Sequence, residues 1–290
     1  MKVIINGAGI AGPTLAYWLR QAGQEVLLVE AAPQLRRGGY VIDFGLIGYD
    51  VAEKMGLIPR LRELGYKVRE MRFVDRLGRT SSSISLDALA RLTHGRYITL
   101  RRSDLAATIY RALNGTVETI FGDSVSSIEE TGRGVRVRFD HAPPREADLV
   151  IGADGLHSRV RELVFGSDAA VEVSLGYHVA AFQVEGYRRR DELVYVGYGV
   201  PGRQVWRFSM REDKTLFLLA FRDQYLPAAE RLANEQERKS VLTHVFADVG
   251  WECPQILAAM ASAGSIYFDR VSQIRLDRWT KGRTALVGDA

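Results

Sequence analysis

The sequence predicts an α/β fold in which a mostly parallel sheet carries an inserted antiparallel β-sheet layer. Three observations predict it. A glycine-rich turn, Gly7-Ala8-Gly9-Ile10-Ala11-Gly12, stands between two β-branched runs, KVIIN (2–6) and EVLLVE (25–30). Two further buried-type runs, DLVIGAD (148–154) and RTALVGDA (283–290), return to the same composition. Between them, residues 173–221 alternate with period two, as in VYVGYG (194–199), VWRFSM (205–210) and TLFLLAF (215–221).

Taken in order, residues 10–22 place Ile10, Leu15, Trp18, Leu19 and Ala22 at helical spacing, and Gly23 stops the helix. Two apolar runs around one helix predict a right-handed βαβ unit with parallel strands. A loop over 31–43 leads to a helix over 46–56 and alternating stretches near 68–75 and 80–85. A strand near 97–100 precedes a helix over 103–113, and strands follow at 116–121 and 134–139. A helix is expected near 156–164, two more at about 229–247 and 253–262, and strands at 264–276. The division expected is 1–172, then the antiparallel layer over 173–265, then a return to the first unit over 266–290.

Composition bounds the function. The chain has 290 residues, 47% hydrophobic and 26% charged, which suits a globular protein with a large core. Its single cysteine, Cys253, excludes an intramolecular disulfide framework and a Cys-rich zinc site. The net charge of +4 is mild, and the run Arg188-Arg189-Arg190 is followed at once by Asp191 and Glu192. That reads as a solvated loop, so no nucleic-acid partner is expected. No window is apolar enough to span a membrane. Asn6, Gly7, Gly9, Gly12 and Pro13 interrupt any signal-peptide core, so a cytoplasmic location is expected.

The glycine turn sits where a dinucleotide fingerprint must sit. Gly7 permits the tight turn, Gly9 lets the backbone approach a pyrophosphate, and Gly12 lets helix and strand pack closely. The helix start, with Ala11 in its first turn, offers free N–H groups and a partial positive charge. Glu30, ending the second run, is placed to accept from a ribose 2′-hydroxyl and repels a 2′-phosphate. The site therefore takes FAD or NAD, and the motif alone does not separate them.

The rest of the chain does. ADLVIGADGLHSRVR (147–161) carries Asp154-Gly155 at a strand end, and GRTALVGDA (282–290) carries Gly288-Asp289 at another. With the glycine fingerprint, these motifs resemble, in order and spacing, the class A flavoprotein monooxygenases. That family includes para-hydroxybenzoate hydroxylase and the tetracycline-inactivating monooxygenases. The resemblance implies a Rossmann-like FAD-binding domain with an inserted antiparallel β-sheet substrate layer.

It also implies residue roles. Gly7, Gly9, Ala11 and Gly12 would hold the FAD pyrophosphate, and Glu30 the adenosine ribose. Arg36, with Arg37 as competitor, would reach the flavin region, and Arg102 would contact FAD from a helix start. Asp154 would serve both FAD and the nicotinamide, and a helix N-cap is an alternative reading that can hold at the same time. Asp289 would accept from a ribityl hydroxyl. The implied chemistry is the cofactor's: NAD(P)H reduces the flavin, O2 adds to give a C4a-hydroperoxide, and an oxygen atom passes to an electron-rich ring. No protein acid or base is legible, and none of His94, His141, His157, His178 and His244 has metal-ligand spacing.

Aromatics crowd residues 177–208, and Tyr198, Phe182 and His178 are the candidates for the wall of an apolar substrate pocket. The expected substrate is an aromatic or polyketide-like small molecule. A flavin-dependent halogenase is the nearest alternative, but its Trp-x-Trp-x-Ile stretch is absent. A non-catalytic flavin-binding fragment is another, because the family continues past the Gly-Asp motif into a loop and long helix. On that ground the 290-residue form is expected to hold FAD weakly and to turn over slowly.

Overall fold

A computed structural model describes residues 1–36, 40–166, 171–188, 190–227 and 234–290. Its first layer is a six-stranded sheet. Lys2–Asn6 lies at its centre, flanked in parallel by Glu25–Glu30 and Leu149–Gly152. Glu118–Phe121 extends one side in parallel, and Thr284–Leu286 the other. The short strand Thr280–Lys281 closes that edge antiparallel. Both faces of this sheet are covered, so its strands read as continuous apolar runs. Val3, Ile5, Val26 and Leu28 pack towards the helix Ala11–Gln21. Ile4, Leu27, Val29 and Val150 pack towards Val125, Val135 and Val137 of a small three-stranded sheet.

The second layer is a seven-stranded sheet. Five of its strands are Ile266–Ile274, Glu172–Glu185, Lys214–Arg222, Arg203–Ser209 and Val194–Val200, joined antiparallel in that order. The sheet then recruits Glu70–Val74, parallel to Val194–Val200, and Thr80–Ser85 at the edge. Two of the seven strands thus come from the stretch that the sequence division places in 1–172. Ile266–Ile274 likewise completes this sheet before the chain returns to the first at Thr284–Leu286. The strand expected over 283–290 is only three residues long, because Gly288 takes a φ of +73° and turns the chain.

The helices Glu235–Phe246 and Cys253–Met260 cover one face of the large sheet. Their Val241, Val245, Phe246 and Ile256 meet Ala180, Phe182, Val196, Tyr198, Phe217 and Phe221 in the largest core. Under this face, Arg207 is 3% exposed and reaches Asp191 at 2.7 Å and Glu252 at 3.1 Å. Arg72 pairs with the same Asp191 at 2.9 Å; burial pushes that carboxyl up, but the hydrogen bonds and charges of Arg207 and Arg72 outweigh it and hold it below the usual range. The other face meets a two-stranded sheet, Val41–Gly45 against Tyr97–Arg101, through Tyr40, Val41, Tyr66 and Val68.

Candidate active site

The glycine loop is held from three sides. Gly7 has a φ of +113°, and a Cβ there would run into the Ala153 carbonyl. A Cβ on Gly12 would run into the Gly7 carbonyl oxygen. Around Gly9 the opposite holds: nothing lies within 4 Å of where a Cβ would stand. The helix that follows has no side-chain cap at Ile10 and no acidic residue in its first turn. Its leading N–H groups lack intrahelical partners. A cradle without side chains, beside uncapped amides, fits a pyrophosphate.

Glu30 spans the mouth of the cradle. Its Oε2 accepts from the Ala8 N–H at 2.7 Å and its Oε1 from the Ala32 N–H at 3.0 Å. The carboxylate therefore fixes the loop and, with about four acceptor sites, keeps capacity for ribose hydroxyls. Gly288 brings the Gly-Asp motif against the helix start, where its added Cβ would stand 3.0 Å from the Ala11 Cβ. Asp289 follows, exposed.

Asp154 is committed to the chain itself. Its Oδ2 accepts from Asn6 Nδ2 at 2.9 Å, Arg159 N at 2.9 Å and Val160 N at 3.2 Å. Its Oδ1 accepts from Ser158 Oγ at 2.5 Å, and Ser158 Oγ accepts in turn from Arg161 N at 3.0 Å. Ser158 is the N-cap of the helix Arg159–Phe165, and Asp154 backs that cap while tying it to the first strand. In the same loop, His157 Nε2 lies 3.3 Å from Asp269 Oδ1, linking the Asp-Gly loop to the large sheet.

Arg102 opens the helix Arg102–Arg111, and its N–H donates to the Tyr40 carbonyl at 3.0 Å. Tyr40 packs on Tyr267 with ring centroids 5.2 Å apart. The Arg102 cation lies near enough to the Tyr267 phenol to oppose the upward shift that burial gives it. Arg36 is exposed on the loop after the second strand, and Arg37 lies outside the described residues.

The large sheet presents one face to these elements, and strand parity decides which residues stand on it. Tyr195 faces Asp43, and Tyr267 and Asp269 face Tyr40 and His157. Tyr198, Phe182 and His178 occupy alternate positions and lie in the opposite, helix-covered face, 8%, 2% and 3% exposed. His178 stacks on Phe221 and sets Nδ1 3.0 Å from Asp223. The structure thus does not bring these three to the cradle side. The face towards these elements carries instead their neighbours Tyr195, Trp206, Leu218 and Tyr267.

A polar cluster at the seam has no signature in the sequence. Thr99 Oγ1 donates to Asp43 Oδ1 at 2.7 Å and lies 3.3 Å from the Tyr97 hydroxyl, and the Tyr195 phenol stands near the same carboxylate. Burial and this carboxylate push both phenols well above their usual range. The members come from three separate strands, so no local motif signals them. Among the described residues, no group of His, Cys, Asp and Glu has metal-holding geometry. No helix among them is long and apolar enough to cross a membrane.

A Rossmann-type glycine cradle beside a large, mostly antiparallel sheet is the fold of an FAD-dependent monooxygenase. The chain belongs to the family described as FAD binding domain, whose model matches residues 1–290. It is 31% identical over 294 residues to a flavin-dependent monooxygenase of Legionella longbeachae, covering 100% of this chain and 74% of that protein. An uncharacterized protein of Mycobacterium tuberculosis is 40% identical over 293 residues, covering 99% and 77%. The crystal structure of tetracycline destructase Tet(51) matches with a TM-score of 0.84 at 33% identity, covering 100% of this chain and 74% of that one. Klebsiella pneumoniae HpxO, complexed with FAD and uric acid, matches with a TM-score of 0.77 at 25% identity, covering 100% and 72%.

Proposed function

We propose that this protein is an NAD(P)H-consuming FAD monooxygenase that hydroxylates a flat aromatic or polyketide-like small molecule. The observation that carries the reading is the cradle itself: open space at Gly9, uncapped helix amides, and Glu30 clasping the Ala8 N–H at 2.7 Å. FAD, when bound, supplies the means of activating O2 with electrons from a nicotinamide. The chain's own groups bind and orient. The amides after Gly9 hold the pyrophosphate, and Glu30 takes the ribose. Arg36, Arg102 and Asp289 are the candidates for the rest of the cofactor. Asp154 holds the Asp-Gly loop in place by its four bonds rather than by touching a ligand.

The relatives support a flat substrate, since one is named for tetracycline and another was solved with uric acid. The apolar face of the large sheet supports it too, because such a wall keeps water from the reacting centre. The nicotinamide binds transiently, since one glycine fingerprint serves one dinucleotide. The test is NAD(P)H oxidation and O2 uptake by the FAD-loaded protein, with and without tetracycline or uric acid. Oxidation accelerated by either, with oxygenated product, supports the reading. Absence of flavin reduction by both NADH and NADPH overturns it.

A further inference from the structure

The register of the large sheet lines up one row of side chains along the seam. Tyr267 pairs with Ala181, Ala181 with Leu218, Leu218 with Trp206, Trp206 with Gly197, and Gly197 with Phe73. The next row, Leu216, Phe208 and Tyr195, lies under Tyr66, Tyr40 and Val41. The first row is therefore the strip that borders the docked elements, and Leu218, Trp206 and Phe73 on it are half-exposed. Their counterparts on the reverse face, Phe217, Val205 and Val196, are fully buried.

Trp206 differs from the others in how it lies. A Cβ at Gly197 would run into Cε3, Cζ3 and Cη2 of its indole, so the ring rests flat on the glycine backbone. Phe73 meets the indole edge-on, with centroids 5.2 Å apart and an interplanar angle of 75°. One indole face is thus seated on the sheet and Phe73 braces the ring, which stays half-exposed. Two residues along the same strand from Gly197 stands Tyr195, whose phenol lies near Asp43, the acceptor of the 2.7 Å bond from Thr99. That step is about 7 Å, close to the length of a two-ring system.

We propose that Trp206, levelled by Gly197 and braced by Phe73, is a specificity-determining platform for a planar fused-ring ligand. The Asp43–Tyr97–Tyr195 cluster receives a hydroxyl at one end of that ligand. The assignment rests on the monooxygenase reading for its place beside the cofactor. A flat π-face selects flat partners, because offset stacking adds to the area buried. A saturated ring of the same size cannot approach so closely.

The experiment is calorimetric titration of the FAD-loaded protein with 2-naphthol and with decahydro-2-naphthol. The platform predicts at least about tenfold preference for the flat compound. Trp206→Ala loses that preference, and Trp206→Phe keeps most of it. Gly197→Ala, which displaces the indole, weakens naphthol binding in the same direction. In each variant the visible flavin absorbance stays as in the wild type, and the melt keeps a single cooperative transition, lowered where the packed indole is removed or displaced. Equal binding of the two compounds by the wild type, or unchanged naphthol affinity in Trp206→Ala, overturns the platform while leaving the flavin reading intact. Naphthol selectivity in a wild-type protein that takes up no FAD overturns the monooxygenase reading and upholds the platform.

Discussion

Asn6 Nδ2 donates to Asp154 Oδ2 at 2.9 Å, joining the end of the central strand to the Asp-Gly loop. Asn6 is 3% exposed, and its Oδ1 also accepts from Val125 N at 3.3 Å. One amide thereby sets the distance between the glycine turn, the Asp-Gly loop and the small sheet beneath them.

Asp154→Ala removes four acceptor contacts at a helix start. A lost cap costs about 1 kcal/mol and hydrogen bonds to a charged group cost more, so a loss of about 2–3 kcal/mol of stability is expected. Chemical denaturation measures it. A double-mutant cycle with Asn6→Ala returns a coupling of about 1 kcal/mol. Additive effects would show that the amide and the carboxylate act independently.

Glu30→Ala releases the Ala8 and Ala32 amides and removes the ribose acceptor. The FAD dissociation constant is expected to rise about tenfold or more. Flavin fluorescence titration reads the change directly, and unchanged affinity would remove Glu30 from the cofactor site.

Arg207 neutralises Asp191 and Glu252 at a point where both it and Glu252 are buried. Removing one partner of such a cluster leaves uncompensated charge, so Arg207→Met is expected to cost about 3–5 kcal/mol. The combined change Arg207→Met with Glu252→Gln recovers part of that loss in the same denaturation assay.

Burial lowers the pKa of His178 below its ordinary 6.5, against a smaller upward pull from Asp223 and a further downward one from Arg270. The folded protein then resists a proton that the unfolded chain accepts. The contribution of His178 to stability is complete above about pH 6.5 and is lost as pH falls below it. Thermal melts between about pH 7.5 and about pH 5 should fall more steeply for the wild type than for His178→Asn. Parallel slopes would show that His178 is protonated as readily in the fold as out of it.

Much of this arrangement is legible in the residues. KVIIN, EVLLVE and DLVIG are unbroken apolar runs because both faces of their sheet are covered, and the glycine turn announces what lies between them. The wall of the cleft is less legible. Aromatics crowd both faces between 177 and 208, and composition does not say which parity faces the cradle. A shift of one residue exchanges Phe182 for Ala181 and Tyr198 for Gly197. Only pairing with Tyr267 and Phe73 fixes the choice. Thr80–Ser85, an alternating stretch in the sequence, is an exposed edge strand of the large sheet, and only its pairing with Glu70–Val74 places it there. Asp43, Tyr97 and Tyr195 meet through tertiary packing, so the sequence holds no spacing that could reveal them.

The most direct test of the account fills the cradle. Nothing lies within 4 Å of a Cβ at Gly9, and its backbone is outside the left-handed region, so the backbone admits a side chain and Gly9→Val is expected to fold. The account predicts an unchanged thermal melt and a loss of FAD binding by at least about tenfold, as the side chain takes the pyrophosphate's place. A Gly9→Val protein that folds normally and binds FAD like the wild type would contradict the central claim.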